Sequence, residues 1–324
     1  MTSPEPLITA VIPTRNRPSL VLRAVQSVLQ QAGISLEVVV VIDGPDDSTV
    51  RALTAIDDPR VRIVPLPNSV GGAEARNTGV RNARGEWIAF LDDDDEWLPG
   101  KLRSQFEQLG ALPNPQHFIF CGQVLARSPQ GEVTWPEKSP TAPYSEYLLV
   151  RDRLTYGEGL IQTSTILAHR TLLERVPFQV GLKKHQDWDW VLRATDQGAQ
   201  VAFLKQQLAI WNLDEDRTRV SSENSWRVSL EWIRSSRNRV TPRAYTSFIA
   251  TYVAPQAAAS GSASFIELAK EMFSCGAPRL RDVTVFLASW LFPSSQRQRI
   301  RAFLRGRRFE STQPKDRVMM DSRA

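Results

Sequence analysis

Hydrophobic positions along the first part of the chain switch repeatedly between the spacing of a strand and that of a helix. Runs of consecutive apolar residues are typical of strands buried on both faces, while recurrence every three or four positions is typical of an amphipathic helix. Strands are predicted at residues 7–12, 36–42, 61–64 and 86–91. Helices are predicted between them at residues 21–29, 50–53 and 73–83. This alternation predicts an α/β fold with a mostly parallel sheet flanked by helices.

The middle of the chain is less regular, and its last third is mainly helical. Residues 128–143 are rich in Pro, Ser and Gly and predict a mobile loop, whereas 201–204 and 208–211 predict two short strands. Further helices are predicted at residues 187–195, 225–237, 243–258, 264–273 and 281–292. We therefore divide the chain into an α/β domain, residues 1–222, and a C-terminal helical extension, residues 223–324.

Composition places this chain of 324 residues among ordinary globular proteins, since 42% of its residues are hydrophobic and 23% are charged. Its two cysteines, Cys121 and Cys275, form no C-x-x-C pair, so neither a disulfide framework nor a structural zinc site is expected. The start lacks a secretory pattern, and the longest nearly apolar run, 283–292, is shorter than the roughly 20 residues of a membrane span. We therefore expect a cytoplasmic location, with attachment to the inner face of the membrane as an open alternative.

The net charge of +5 is concentrated at the C-terminus. Residues 293–324 carry nine basic and three acidic side chains, which leaves 31 basic and 32 acidic side chains in the rest of the chain. A general nucleic-acid-binding surface is therefore not expected. Arg-rich segments beside apolar residues, as at 290–308, can bind an anionic membrane surface, or they can be helices whose basic face is solvated.

Polar side chains follow three of the predicted strands at the point where each strand ends. Thr14-Arg15-Asn16 follows the first strand, Asp43-Gly44 the second, and Asp92-Asp93-Asp94-Asp95 the fourth. Ligands of open α/β sheets bind at the carboxyl ends of the strands. The sequence therefore predicts a ligand site at this edge of the sheet.

Four adjacent carboxylates at the end of a buried strand repel one another and need a positive charge nearby. A divalent cation held by one or two carboxylates and by ligand phosphates would supply it. Asp92 and Asp94 can converge on such an ion, because alternate residues of an extended segment point the same way. The competing interpretation is a solvated acidic turn before a helix that starts near Pro99.

Asp43 and Arg76 are further candidates for ligand contacts. Asp43 could accept from a nucleobase or a ribose hydroxyl, or it could form an Asx turn. Arg76 could contact phosphate or pair with the acidic run, or it could form an ordinary surface ion pair. The adjacent Gly71-Gly72 is only a weak phosphate-loop signal, since no Walker or dinucleotide fingerprint surrounds it.

A second polar block, His185-Gln186-Asp187-Trp188-Asp189-Trp190, opens a predicted helix. Asp187 could cap that helix, or it could act as a catalytic base if it faces a nucleophile. We interpret His185 as a structural histidine, because no second histidine stands at metal-ligand spacing. At least one of Trp188 and Trp190 is expected in the core.

Taken together, these segments resemble the family 2 glycosyltransferases of the GT-A fold. The resemblance covers about residues 8–102, with a second block at 185–193. The matching motifs are Pro13-Thr14-Arg15-Asn16-Arg17, Ser27-Val28-Leu29-Gln30-Gln31, Asp43-Gly44, Ala75-Arg76-Asn77-x-Gly79, Gly85-Glu86-x-Ile88-x-Phe90-Leu91-Asp92-x-Asp94-Asp95 and Gln186-Asp187. The departures from the family pattern are Ile42 for its first Asp, Pro45 for its Ser, and Gln186 for its Glu.

The resemblance implies a nucleotide-sugar donor, inversion at the anomeric carbon, and Mg²⁺ or Mn²⁺ as cofactor. It implies that residues 1–110 bind the nucleotide sugar and that residues 111–222 form the acceptor and catalytic half. It implies Asp94 as the metal ligand and Asp187 as the base that deprotonates the acceptor. The residues that it implies for donor contacts are Pro13, Thr14, Arg15, Asp43, Arg76, Asp92 and Asp93.

The resemblance leaves the acceptor and the biological role broad. A glycan or a lipid-linked glycan is the expected acceptor, in bacterial surface polysaccharide synthesis, with its pocket at residues 156–165. Arg217 and Arg219 are candidates for a diphosphate contact, with a solvated loop as the alternative. A non-catalytic protein that binds sugar nucleotides is the alternative function. A nucleotidyltransferase fits less well, because its Gly-rich opening is missing near Pro13.

Overall fold

A single mixed sheet of nine strands organises the part of the chain that the computed structural model describes, residues 7–129, 131–152, 158–213, 226–261 and 264–292. The strand order is β3-β2-β1-β4-β8-β6-β9-β5, and β7 pairs with β6. The strands are β1 (Ile8–Thr14), β2 (Leu36–Ile42), β3 (Val61–Pro65), β4 (Trp87–Phe90), β5 (Glu96–Trp97), β6 (Phe118–Ser128), β7 (Gly131–Trp135), β8 (Leu167–His169) and β9 (Gln200–Asn212).

The predicted parallel sheet is present in the first half of the chain. Strands β3, β2, β1 and β4 are parallel neighbours, and every residue of β2 is buried. Their connections are the helices α1 (Pro18–Leu29), α2 (Asp47–Thr54) and α3 (Gly72–Asn82). The predicted strands and helices are confirmed here, because apolar runs flanked by amphipathic segments have few other ways to bury their surface.

The second half of the sheet departs from this pattern. Strand β8 runs antiparallel to β4 and to β6, while β9 runs parallel to β6. The mobile loop predicted at 128–143 is wrong at its start, because residues 131–135 pair with β6 as strand β7. The two strands predicted at 201–211 are one strand, β9, whose register shifts opposite Gly122 and Gln123. Both differences arise from pairing with distant partners, which composition does not show.

The remaining helices cover the sheet and form the C-terminal region. They are α4 (Lys101–Gly110), α5 (Tyr144–Leu149), α6 (Arg170–Arg175), α7 (Gln186–Asp196), α8 (Trp226–Ser235), α9 (Pro242–Phe248), α10 (Ala254–Ala259), α11 (Phe265–Cys275) and α12 (Leu280–Leu291). A π-helical turn, Ile249–Val253, joins α9 to α10 where one continuous helix was predicted. No helix in these described ranges is both long and apolar enough to cross a membrane.

The two faces of the sheet carry separate cores, because successive strand residues point to opposite faces. Ile8, Ala10 and Ile12 of β1 pack on the side of α1. Val11 packs on the other side, in a cluster that also contains Trp190 of α7 and Trp232 of α8. The C-terminal helices therefore share one hydrophobic core with the sheet and with α7. The division at residue 222 stays a prediction.

Candidate active site

The polar residues that follow β1, β2 and β4 lie at one edge of the sheet. Thr14 is the last residue of β1 and is paired in register with Ile42, so Asp43 follows at the same level. On the other side of β1, Phe90 of β4 is paired with Val11, and Asp92 comes two residues later. Parallel pairing thus brings the three predicted segments together, as their positions after strands indicated.

Asp43 is buried, and its carboxylate organises the loop that leads into α3. It accepts hydrogen bonds from the Ser69 hydroxyl at 2.9 Å and from the amides of Val70 and Gly71 at 2.6 and 3.1 Å. The Arg15 guanidinium donates in turn to the Ser69 hydroxyl at 2.8 Å. Gly44 has a left-handed φ of +103°, and a Cβ there would lie 3.1 Å from the Ser69 nitrogen. Asp43 and Arg15, which follow different strands, therefore both contact Ser69. They lie where the sequence predicts a nucleoside pocket.

The acidic run forms a turn, and its carboxylates separate into a partly exposed pair and a buried pair. The turn is closed by a hydrogen bond from the Asp95 amide to the Asp92 carbonyl at 3.1 Å. The side chains of Asp92 and Asp94 are 29% and 21% exposed, whereas the residues Asp93 and Asp95 are only 6% and 1% exposed. The solvated acidic turn was one of the two interpretations of this segment, and half of the run does not fit it.

Asp93 faces the end of β1. It accepts from the Thr14 hydroxyl at 2.7 Å and from the Arg17 guanidinium at 2.9 Å. Arg17 also lies 3.6 Å from the Asp94 carboxylate. Burial raises the pKa of Asp93 to about 6, although the positive charge of Arg17 opposes that change. Arg17 thus supplies part of the positive charge that the acidic run requires, a role that its place in the motif Pro13-Thr14-Arg15-Asn16-Arg17 did not indicate.

Asp95 is fully enclosed in a polar network. Its carboxylate accepts from the Gln162 amide at 2.6 Å and from the Ser164 hydroxyl at 2.7 Å. Burial, first of all, and then the neighbouring carboxylates raise its pKa well above the usual value for an aspartate. The described part of the predicted acceptor segment, 158–165, therefore packs against the acidic run. Because the partners are 67 and 69 residues apart, no local pattern could have shown this network.

Arg76 connects the acidic run to the start of α7. Its guanidinium lies 2.5 Å from the Asp92 carboxylate and donates to the Gln186 side-chain oxygen at 2.7 Å. The guanidinium also lies over the ring of Phe178, 5.6 Å from its centroid. Gln186 donates to the Leu182 carbonyl at 2.7 Å. The Gln that replaces the family's Glu therefore keeps an acceptor for Arg76.

Asp187 lies at the same junction, in the first turn of α7. Its carboxylate accepts from the Trp188 amide at 2.9 Å. Burial raises its pKa to about 6, and the negative charge of Asp92 acts in the same direction, while Arg76 opposes both. A carboxyl group with this pKa is ionised near neutral pH and still basic enough to take a proton. The catalytic role of Asp187 itself stays a prediction.

His185 and Trp190 belong to the protein interior. The His185 ring is buried and shares a hydrogen bond with the Ser229 hydroxyl at 3.0 Å. Trp190 is fully buried and donates to the Val176 carbonyl at 2.7 Å. Trp190 is thus the core tryptophan that the sequence analysis expected, and the ring of Trp188 is partly buried.

A divalent cation would have to be held by few protein ligands. Among the described residues, no cluster of three or more His, Cys, Asp or Glu side chains could hold a metal ion. Asp92 and Asp94 are the partly exposed carboxylates of the acidic run. One or two carboxylates with phosphate oxygens are a usual ligand set for Mg²⁺, so the residues fit a cation that arrives with a diphosphate. The described residues do not fit a site in which protein side chains alone bind the cation.

Comparison with known proteins decides the family. The family model described as "Glycosyl transferase family 2" matches residues 9–178, more than half of the chain. The chain belongs to glycosyl transferase family 2. The matched range contains the acidic run and Arg76, whereas Gln186 and Asp187 lie beyond its end.

Relatives of this glycosyltransferase are named for the synthesis of bacterial polysaccharides. The succinoglycan biosynthesis protein ExoO of Rhizobium meliloti is 43% identical over 106 residues, which cover 33% of this chain and only 30% of ExoO. The amylovoran biosynthesis glycosyltransferase AmsB of Erwinia amylovora is 27% identical over 72% of this chain and 79% of its own length. The Escherichia coli glucosyltransferase WfgD, named for a diphosphoundecaprenol acceptor, is 32% identical over 56% of this chain and 67% of its length.

Solved structures confirm the GT-A fold of this family 2 member. Staphylococcus aureus TarS 1–349 in complex with UDP-GlcNAc superposes with a TM-score of 0.57 at 17% identity, over 87% of this chain and 79% of that one. A mannosyltransferase of Pyrobaculum calidifontis, in complex with GDP-Man and Mn²⁺, superposes with a TM-score of 0.52 at 18% identity, over 96% and 88%. A longer TarS chain is covered over only 54% of its length.

Some predicted features lie outside the described residues. Arg217 and Arg219, the candidates for a diphosphate contact, are among them. The basic segment 293–324 and residues 156–157 of the predicted acceptor pocket are also outside. Their proposed roles stay predictions.

Proposed function

We propose that this family 2 glycosyltransferase transfers a sugar from a nucleotide-sugar donor to a hydroxyl group, with inversion at the anomeric carbon. The observation that carries the proposal is the contact of Arg76 with both Asp92 and Gln186. It joins the end of β4 to the residue next to Asp187. Residues for binding a donor and a residue for deprotonating an acceptor thus belong to one site, although they are about a hundred positions apart in sequence.

The donor binds along the carboxyl ends of β1, β2 and β4. Asp43 and Arg15, which both contact Ser69, bind the nucleoside, and Thr14 and Pro13 close the pocket at the end of β1. Asp92 contacts the ribose, and Arg76 faces the diphosphate. Because Asp93 is buried against Thr14 and Arg17, it supports this pocket through those two residues. The named ligands of two structural neighbours, UDP-GlcNAc and GDP-Man, support a nucleotide sugar as the donor.

Mg²⁺ or Mn²⁺ accompanies the donor. Asp94, with Asp92 beside it, would hold the cation together with oxygens of the diphosphate. When bound, the cation neutralises negative charge on the leaving diphosphate. The Mn²⁺ in the named complex of the mannosyltransferase supports this assignment.

Transfer proceeds by direct displacement. The acceptor oxygen attacks the anomeric carbon from the face opposite the diphosphate, its bond to that carbon forms, and the bond from the carbon to the diphosphate oxygen breaks. The electron pair leaves with the nucleoside diphosphate, and the acceptor proton moves to the Asp187 carboxylate. A pKa of about 6 keeps Asp187 ionised at neutral pH and ready to accept that proton. The sugar configuration inverts because a single displacement occurs.

The acceptor is a glycan or a lipid-linked glycan of a bacterial surface polysaccharide. The relatives named for succinoglycan and amylovoran biosynthesis support the polysaccharide, and the diphosphoundecaprenol acceptor in the name of WfgD supports a lipid-linked form. A lipid-linked acceptor brings the enzyme to the cytoplasmic face of the membrane. Helix α12 carries an outward stripe of Leu280, Leu287 and Leu291, which are 84%, 41% and 74% exposed, and it precedes the basic segment 293–324. We assign this stripe to an anionic membrane surface.

The test is a transfer assay of the full chain with a panel of UDP- and GDP-sugars. Release of nucleoside diphosphate is followed with Mg²⁺, with Mn²⁺ and with a chelator, in the presence of lipid-linked and free glycan acceptors. We expect acceptor-dependent release with one donor, loss of that release with the chelator, and a product of inverted configuration by NMR. Tight donor binding without release under all conditions would instead support the non-catalytic alternative.

A further inference from the structure

The residue before Gln186-Asp187 is held in an unusual backbone conformation. His185 has a φ of +63°, in the left-handed region that residues other than glycine seldom adopt. Its carbonyl accepts the first hydrogen bond of α7, from the Asp189 amide at 2.8 Å. The conformation of His185 therefore sets where α7 begins and in which direction its first turn presents Asp187.

The His185 side chain is fixed by groups that come mainly from the C-terminal helices. The ring shares its hydrogen bond with Ser229 of α8, and burial lowers its pKa to about 3, so that it is uncharged at neutral pH. Its ring centroid lies between 4.6 and 5.3 Å from those of four aromatic side chains. These side chains are Trp188, Trp232, Phe248 and Tyr252.

The π-helical turn helps to position the aromatic rings around His185. Phe248 precedes the turn and Tyr252 lies within it, and their rings are stacked with centroids 5.0 Å apart and an angle of 11°. Both rings meet the His185 ring edge to face. The turn thus presents two stacked rings to one histidine. π-Helical turns often occur at functional sites.

Asp187 therefore follows directly after two anchored residues. On its N-terminal side, Gln186 is bound to Arg76 and so to the acidic run. One residue earlier, His185 is bound to α8 and to the π-helical turn. A second contact from α8 reaches the same helix turn, because the Trp232 indole donates to the Asp189 carboxylate at 3.2 Å.

We propose that His185 is a positioning residue for Asp187, and that the C-terminal helices complete the active site by holding its ring. The residues of the C-terminal helices that contact the ring are Ser229, Trp232, Phe248 and Tyr252. All four lie beyond the range 9–178 that the family model matches. This inference rests on the proposed role of Asp187 as the base. The competing explanation is that His185 and its neighbours only pack the C-terminal helices against the domain. In that case any buried substitution in these helices should affect kcat in the same way.

The decisive variants are Ser229→Ala and His185→Phe in the full chain. Ser229→Ala removes the hydrogen bond to the ring, and His185→Phe keeps an aromatic ring without it. We expect kcat to fall several-fold in the first variant and about 10²-fold in the second, because small misplacements of a catalytic group are costly. KM for the donor should stay unchanged in both, since the proposed donor residues lie at the carboxyl ends of β1, β2 and β4 and on α3, and not on α8.

Ser289→Ala is the matched control. Ser289 is also a buried serine of the C-terminal helices, but its hydroxyl donates to Val285 within its own helix. We expect wild-type kinetics from it. A fall in kcat equal to that of Ser229→Ala would show a general packing effect and overturn the proposal.

A double-mutant cycle separates positioning from general damage. In an Asp187→Asn background, His185→Phe should cause no further loss of the residual transfer rate, because the group that it positions is absent. An equal loss in both backgrounds would overturn the proposal. Wild-type rates in His185→Phe and Ser229→Ala, with Asp187→Asn inactive, would also overturn it and leave the proposed function intact.

Hydrogen exchange at the Asp189 amide gives a readout that does not depend on activity. We expect faster exchange in Ser229→Ala and His185→Phe than in Ser289→Ala, because the bond from this amide to His185 is weakened. If Asp187→Asn retains full activity, the base role fails. Hydrogen exchange at the Asp189 amide would then still decide whether His185 fixes the start of α7. Exchange at the wild-type rate in Ser229→Ala and His185→Phe would show that it does not.

Discussion

Asp187, the proposed base, lies in surroundings that would favour its role in catalysis and oppose the stability of the fold. Its side chain is partly buried and lies near the negative charge of Asp92, and burial, first of all, raises its pKa to about 6. The same desolvation that makes the group a better base makes its ionised form less favourable in the folded protein. Activity and stability should therefore respond in opposite directions when this charge is removed.

For activity, we predict that Asp187→Asn lowers transfer by about 10²–10⁴-fold, the usual contribution of a general base. Donor affinity should remain nearly unchanged, because Asn keeps the volume of the side chain and does not touch the donor. The measurements are kcat for transfer and donor affinity by calorimetry. Asp196→Asn, at the exposed end of the same helix, is the matched control and should transfer normally. Normal turnover with lost donor affinity in Asp187→Asn would contradict the assignment.

For stability, we predict that Asp187→Asn stabilises the protein at neutral and alkaline pH but not below about pH 4. The folded pKa of about 6 exceeds the ordinary aspartate value of 3.8. The unfolded chain releases this proton near pH 4, whereas the folded protein keeps it until about pH 6. The stability of the wild-type protein therefore falls as pH rises from about 4 through about 6, and that of the uncharged Asn variant does not. We expect the gain of the variant over wild type to be near zero at pH 4 and to grow to about 3 kcal/mol by about pH 7, since about two pKa units separate the folded from the unfolded state.

Denaturant titrations at several pH values would measure this difference. The same Asn substitution at Asp196 provides the baseline, since that residue is mostly exposed. A difference that does not change with pH would show that Asp187 has no raised pKa in the folded protein.

Arg76 is the contact through which three elements act together. It belongs to α3, and its guanidinium meets the end of β4 at Asp92 and the start of α7 at Gln186. Its positive charge lowers the pKa of Asp187, against the effect of burial. One side chain thus sets both the distance between two elements and the proton affinity of a third group.

We predict that Arg76→Gln moves the acidic limb of the pH–rate profile above about 6. The physical reason is that the opposing positive charge is lost, so that Asp187 holds its proton to higher pH. The measurement is kcat/KM for transfer as a function of pH, with donor KM followed in parallel.

Arg76→Lys is the matched comparison for this prediction. It keeps the charge but cannot reach two acceptors with one planar group. We expect the pH limb to stay near 6 and kcat to fall, because α7 is no longer tied to the acidic run. If Arg76→Gln and Arg76→Lys shift the limb equally, charge is not the cause.

At the scale of the whole molecule, the C-terminal helices are part of the enzyme core. Trp226 and Leu230 of α8 belong to the same hydrophobic cluster as Val11 of β1 and Trp190 of α7. Removing these helices would expose that cluster and unfold the site. Surface substitutions are therefore the better way to ask what the C-terminal region binds.

We predict that Leu280→Glu/Leu287→Glu weakens flotation of the full chain with vesicles of phosphatidylglycerol and phosphatidylcholine. Two exposed leucines of the outward stripe become anionic, which opposes both apolar insertion and attraction to anionic lipid. Val180→Glu, an exposed apolar position away from this helix, is the control and should float normally. Equal flotation of all three proteins would remove the membrane assignment. Self-association through the stripe would instead appear as a concentration-dependent mass in solution.

The candidate site was predictable where its residues follow strands. Thr14, Asp43 and Asp92 each stand after an apolar run, and parallel pairing brings such positions to one edge. The role of Arg17, by contrast, follows from contacts with Asp93 and Asp94 that are more than 70 residues away in sequence. The contacts of Gln162 and Ser164 with Asp95 were undetectable for the same reason, although both residues lie in the predicted acceptor segment.

The sequence by itself determined the order of strands and helices from β1 to β4, the parallel pairing in this first half of the sheet, and the family. Those features depend on local spacing of apolar residues and on short motifs, which one chain displays directly. Only the tertiary structure decided the pairing of β6 with β7 and β9, the division of the acidic run into exposed and buried carboxylates, and the aromatic contacts of the His185 ring. Each of these joins residues far apart in the chain, and their energies depend on burial and distance, which exist only once the chain has folded.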